Sequence, residues 1–344
     1  MESSSPKVLN LYPIDYPFET LVGRVNSNPP KLVLNPDFQR KYKWDKEGWE
    51  RASRFIESCL MRIPLPACYF AETDNGQQLV IDGVQRITTI SKFFNDEFAL
   101  EGLSTFNELE GKKFSELGDY KNELESTTIR CIILRKENPK FLIQEIFSRL
   151  NQGAVKLSNQ EIRHAIFPGT LDRLLIELSE HSVIKSFNVG KKKPKPKINL
   201  EDQEQVLRFF ALQEELDHYQ DKLSKFLDNY MNNNQNLPAN QINHLRDLFN
   251  STIDKVITVF GEDAFIDTNK SMRKQSMVYY DLLMWSFSSI SQDIINEKKD
   301  TIKERFQQLC ADEDFQKTLS GGLQNKSSIL RRRRLWQEMI SDIS

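Results

Sequence analysis

The feature that most limits the fold is a change of periodicity near residue 170. Before it, short apolar runs that suit strands alternate with amphipathic helical stretches. Beyond it, helical spacing recurs in nearly every segment and no run reads as a strand. A chain of 344 residues also exceeds the ~250–300 at which single cores stop growing. Two lobes are therefore expected: a mixed one over residues 1–169 and a helical one over 170–344, which makes the chain α+β.

The first lobe can be read in some detail. Residues 32–34 form a short apolar run ended by Asn35 and Pro36. From Asp45, a plausible N-cap, the positions Trp49, Ala52, Phe55, Ile56, Cys59 and Leu60 trace the stripe of an amphipathic helix. "PLPACYFAE" and "QQLVID" flank "TDNG", where Asn75-Gly76 favours a tight hairpin turn. The second of these strands runs into "DGVQR", after which Ile87, Ile90, Phe93 and Phe94 repeat at helical spacing. A buried strand is expected in "TTIRCIIL", then a helix from Pro139 to about Leu150. After Gly153, Ser158 with Glu161 three positions on predicts a capping box.

Composition narrows the function. Hydrophobic residues make up 39% and charged residues 28%, and no apolar run approaches the ~20 residues needed to span a bilayer. The opening stretch lacks the basic region and apolar core of a secretory signal, so a cytoplasmic protein without a membrane anchor is expected. Cys59, Cys68, Cys131 and Cys310 are scattered, which indicates buried thiols rather than a zinc site or a disulfide framework. His164, His181, His218 and His244 lie apart, outside any HxH or HExxH setting. With no GxxxxGK[ST] and no GxSxG, P-loop chemistry and the α/β-hydrolase elbow are not indicated. The net charge of -2 conceals basic runs: "KKKPKPK", which includes Lys191, Lys192 and Lys193, and the run Arg331, Arg332, Arg333, Arg334.

Several polar clusters can carry chemistry. At 82–86, Asp82 and Gly83 precede a helix that begins near Gln85 and Arg86. A helix N-terminus offers unpaired N–H groups and partial positive charge to an anion, and a glycine lets a phosphate approach. The same residues also suit a plain turn with Asp82 as cap and Arg86 at the surface. Gln39, Arg40, Lys41 and Lys43 lie among Phe38, Tyr42 and Trp44, a mixture that suits nucleotide binding or an ordered loop pinned by its aromatics. Arg149, Asn151 and Gly153 end a helix, and Glu161, Arg163 and His164 share the next one, where a solvated face is the usual outcome. The arginine run can contact DNA phosphates or scatter round a helix, pairing with Glu338 or Asp342.

Taken in order, "NPDFQRKYKW", "PLPACYF", "VIDGVQRITTISKFF", "FSRLNQGAVKLSNQEIRHAIFPG" and "EDQEQVLRFFAL" resemble the landmarks of the N-terminal domain of GmrSD-type modification-dependent restriction enzymes. The closing "RRRRLWQEM" is similar to that family's last helix. The resemblance implies a ParB/sulfiredoxin-like α+β lobe with a strand-turn-helix motif, usually DGQQR, that is associated with nucleoside triphosphate (NTP) binding and hydrolysis. Carried over by position, Asp82, Gln85 and Arg86 would be catalytic, with Asp82 also holding Mg²⁺. Gly83, Arg86, Thr88, Gln39, Arg40, Arg149 and Asn151 would bind the nucleotide. Val84 replaces the usual first glutamine, which removes any hydrogen bond from that side chain. The histidine-asparagine-histidine nuclease half is absent, so DNA cutting would fall to a partner protein. Sulfiredoxin chemistry is set aside, because 82–86 hold no cysteine.

The function these readings predict is an NTP-binding, NTP-hydrolysing regulatory protein of a prokaryotic anti-phage restriction system, with DNA and a separate nuclease subunit as partners. The alternative is a non-enzymatic DNA-binding or assembly module that recruits a nuclease, with Lys191, Lys192, Lys193 and the four arginines on DNA.

Overall fold

In the computed structural model the hairpin expected around "TDNG" forms, with β3 (Cys68–Glu72) antiparallel to β4 (Gln78–Asp82). The Thr73 and Gly76 amides close the turn, and Gly76 takes a φ of +80° that favours glycine. The structure describes residues 8–34, 42, 44–45, 48–73, 75–150, 158–187, 200–271 and 273–343, leaving aside the side chains of Gln144 and Ser148. Gln39, Arg40, Lys41, Lys43, Asn151, Gly153, Lys191, Lys192 and Lys193 lie outside the described residues.

The strand expected in "TTIRCIIL" is β5 (Thr128–Leu134). It is interior to a five-stranded sheet of order β1-β5-β3-β4-β2, with β2 (Leu32–Val33) at one edge. The strand at the other edge, β1 (Leu11–Pro17), was not anticipated from sequence. Pro13 and Pro17 cannot donate to a ladder, which suits an edge strand and hides the strand signal. Its register sets Asp15 opposite Arg130, 2.6 Å apart as an ion pair. β5 and β3 are parallel, pairing Cys131 with Cys68, so the sheet is mixed.

Among the described residues five α-helices accompany this sheet: α1 (Phe18–Asn26), α2 (Glu50–Leu60), α3 (Val84–Phe94), α4 (Tyr120–Ser126) and α5 (Lys140–Leu150). α2 begins later than the Asp45 cap predicted, because Gly48 takes a φ of +94° that no helix continues through. Phe18, Ile56, Phe70, Val80, Ile90 and Phe93 meet in a core closed to solvent. Glu57 fastens it: its buried carboxylate accepts the backbone N–H groups of Ser104, Thr105 and Phe106. Burial alone would raise that carboxyl, but these bonds outweigh it and hold the group below its ordinary range.

The chain divides into two compact units, Met1–Leu157 and Ser158–Ser344. The division falls earlier than the 169/170 boundary read from sequence. The predicted capping box is present at the start of α6 (Asn159–Ile166): the Ser158 hydroxyl accepts from the Glu161 amide, and the Glu161 carboxylate accepts from the Ser158 amide.

The second unit continues through α7 (Thr170–Ser179), α8 (Ser182–Ser186), α9 (Glu201–Glu214), α10 (Leu223–Asn233), α11 (Ala239–Phe260), α12 (Met277–Ser289), α13 (Gln292–Ala311), α14 (Glu313–Lys317) and α15 (Lys326–Met339). Among its described residues there is no strand, only an isolated bridge between Ile266 and Gln275. Phe210, Phe249, Tyr280 and Trp336 anchor its core. α6 joins this unit through Arg163, which was expected on a solvated face and is instead fully buried. Its guanidinium lies 2.8 Å from Glu204 on α9 and 2.7 Å from Asp228 on α10. No helix among the described residues is long and apolar enough to cross a membrane.

Candidate functional site

The strand-turn-helix motif is built as the sequence implied. β4 ends at Asp82, Gly83 turns with a φ of +98°, and α3 starts at Val84. Two constraints require glycine there. The left-handed φ is one; the other is Cys68, whose Sγ would lie 2.3 Å from a Cβ on residue 83. Val84 packs its side chain against the core of the first unit. Gly83, at the N-cap position of α3, makes no side-chain cap to the partly positive first turn.

Arg86 is committed close to home. Its guanidinium donates to the carbonyl of Pro66, to the Ala67 carbonyl at 3.1 Å and to Asp82 Oδ2 at 2.9 Å. Only 13% of the side chain faces solvent, against 43% for Asp82. Arg86 therefore braces the turn against the segment that leads into β3, and contact with a ligand must use the small part left open. Cys68, packed beside it, is not a nucleophile: burial, opposed by the nearby Arg86, pushes its thiol up to about 12.

The helix that begins at the motif also lines a cleft of about 410 Å³. By helical spacing, Gln85 shares a face with Thr88, Thr89 and Lys92. Thr89 donates to the Gln85 carbonyl at 2.8 Å and accepts the Tyr42 hydroxyl at 2.8 Å, which fixes Tyr42 as a wall. Burial, partly offset by the bond to Thr89, raises the Tyr42 phenol to about 12, so it stays neutral. Lys92 pairs with Glu97 at 2.6 Å and sits over the Tyr42 and Trp49 rings. Asn26 and Asn95, joined at 3.0 Å, stand at the mouth.

Among the described lining residues Thr88 stands apart. It is 4% exposed, it lines the cleft, and its hydroxyl has no hydrogen-bond partner. A buried polar atom left unpaired costs about 1–3 kcal/mol and calls for an explanation.

The remaining sequence candidates are dispersed. α5, which carries Arg149, packs on β4, but Arg149 is exposed and pairs with Glu145 at 2.8 Å. Leu34 and Tyr42, which flank the segment of Gln39 and Arg40, both line the cleft. The arginine run is split by the periodicity of α15. Arg332 donates to the carbonyls of Thr318 and Leu323, and Arg333 to that of Leu212 while stacking 4.4 Å from the Trp285 ring. Both are buried, which leaves Arg331 and Arg334 at the surface, paired with Asp314 and Glu338. Among the described residues no group of three or more His, Cys, Asp and Glu could hold a metal ion.

Sequence reading did not single out Asn26, Asp45, Ser91, Lys92, Asn95 or Glu97 as site residues, although all line the cleft. The polar stripe Thr88-Ser91-Lys92-Asn95, at helical spacing on an otherwise apolar helix, was the available signal. Comparison with known proteins bears on the motif directly. No curated protein and no solved structure matches the chain significantly. Residues 18–168, however, match the family model of the GmrSD restriction endonuclease N-terminal domain. The matched stretch takes in the whole turn at 82–86, both walls of the cleft and α6. The sheet-bearing part of the chain is thus similar to GmrSD restriction endonuclease N-terminal domains over residues 18–168.

Proposed function

We propose that this chain is an NTP-binding and NTP-hydrolysing regulatory component of a cytoplasmic, restriction-type defence system, one that acts on foreign DNA together with a separate nuclease. The observation that carries the reading is the start of α3: an uncapped helix N-terminus behind a left-handed glycine, opening beside a polar cleft on the same helix. Backbone donors at such a turn favour phosphate oxygens, and they favour them more as negative charge grows during phosphoryl transfer.

In this reading Gly83 and the first turn of α3 receive the phosphates, and Gln85 orients the attacking water. Arg86 holds the turn in shape through Pro66, Ala67 and Asp82. Asp82, half open to solvent, would hold a Mg²⁺ ion brought in with the triphosphate, which fits an ion that takes one or two carboxylates and fills its other positions with phosphate and water. Arg40 and Gln39, between the cleft-lining Leu34 and Tyr42, would add a cation and an amide. Incubation with each NTP and Mg²⁺, with and without DNA, tests this. Phosphate release with at least one NTP is expected, and absence of binding for all four NTPs by calorimetry would refute it.

A further inference from the structure

We infer that the cleft beside α3 receives the nucleoside half of the NTP, with Thr88 as the residue that reads it. The inference rests on the nucleotide reading above and adds to it where the base and sugar go.

The charges of the described lining residues do not draw phosphates to their side of the cleft. Asp45 and Glu97 are acidic, and Lys92, the cation, is already paired with Glu97 at 2.6 Å. A polyanion gains little from these described residues. A neutral group rich in donors and acceptors does: Thr88 and Ser91 are buried polar residues, Tyr42 presents a fixed aromatic wall, and Asn26 and Asn95 supply amides at the mouth. Base and ribose are groups of this kind, and a volume of about 410 Å³ falls in the ordinary range of small-ligand sites.

Distance along the helix agrees. At ~1.5 Å of rise per residue, Thr88 lies about 7–8 Å from the turn at Gly83 and Lys92 about 13–14 Å from it, a span suited to phosphates at the turn and nucleoside beyond. The Thr88 hydroxyl, unpaired and closed to solvent, then reaches the ligand by turning about χ1, and the cost of leaving it unpaired is recovered on binding.

Two ligands and two variants separate the parts of this account. Calorimetry with Mg²⁺ compares each NTP with inorganic triphosphate on the full chain. The nucleoside contact predicts that the preferred NTP binds at least tenfold tighter than triphosphate. Thr88→Val should weaken the NTP about tenfold, leave triphosphate binding unchanged, and keep or slightly raise the melting temperature. Asn95→Ala, at the exposed mouth, should weaken the NTP without touching the buried floor. Equal affinity of wild type for NTP and triphosphate, or equal effects of Thr88→Val on both, would overturn the nucleoside assignment while sparing the phosphate site. Failure of wild type to bind either would overturn both.

Discussion

The motif turn and the arginine run of α15 look alike in sequence and differ in what they leave open. In both, guanidinium groups end on backbone carbonyls: Arg86 on Pro66 and Ala67, Arg332 on Thr318 and Leu323, Arg333 on Leu212. Around the turn an uncapped helix start, a half-exposed Asp82 and an unpaired Thr88 hydroxyl remain. Around the run the two inner arginines are sunk into the helical unit, with the buried Nε of Arg333 unpaired, and the outer two pair with carboxylates. Arginines in a sequence therefore do not mark a ligand site by themselves. In the proposed reading, the unpaired Thr88 hydroxyl beside the cleft does.

The comparison can be broken most forcefully at Arg332. If it is a structural brace, Arg332→Ala strands the buried Thr318 carbonyl, releases that of Leu323 and opens a cavity, at a cost of about 2–4 kcal/mol in denaturant unfolding of the helical unit. A loss below about 0.5 kcal/mol would return this arginine to the pool of DNA-facing cations. Next in size is Gly83→Ala. The left-handed φ alone costs about 1–2 kcal/mol, and Cys68 must move as well, so a clear drop in melting temperature is expected with NTP binding lost. A turn that tolerates alanine would mean that the backbone shape at 82–86 is not what the site depends on. The smallest effect belongs to the surface pair: Arg331→Ala with Arg334→Ala should change stability by less than about 0.5 kcal/mol, since exposed ion pairs contribute little.

Legibility in the sequence followed the range of the interactions. The β3-turn-β4-α3 unit and the Ser158 capping box were readable because each is set by residues a few positions apart. The edge strand β1 was hidden by its own prolines. Arg163 was misplaced on a solvated face because its partners Glu204 and Asp228 stand 41 and 65 positions away. The residues of the turn were all named in advance. The cleft was not, because it is assembled from the end of α1, Tyr42 and α3, which only the fold brings together. That Arg86 faces the carbonyls of Pro66 and Ala67 was equally invisible: spacing gives the face of a helix, not the loop packed against it.

Amide hydrogen exchange with and without a saturating NTP and Mg²⁺ addresses both regions in one experiment. A phosphate seated on the first turn of α3 predicts slower exchange in peptides covering residues 83–92, and no change in those covering α15. Unchanged exchange at 83–92 with protection at the arginine run instead would contradict the assignment of the site.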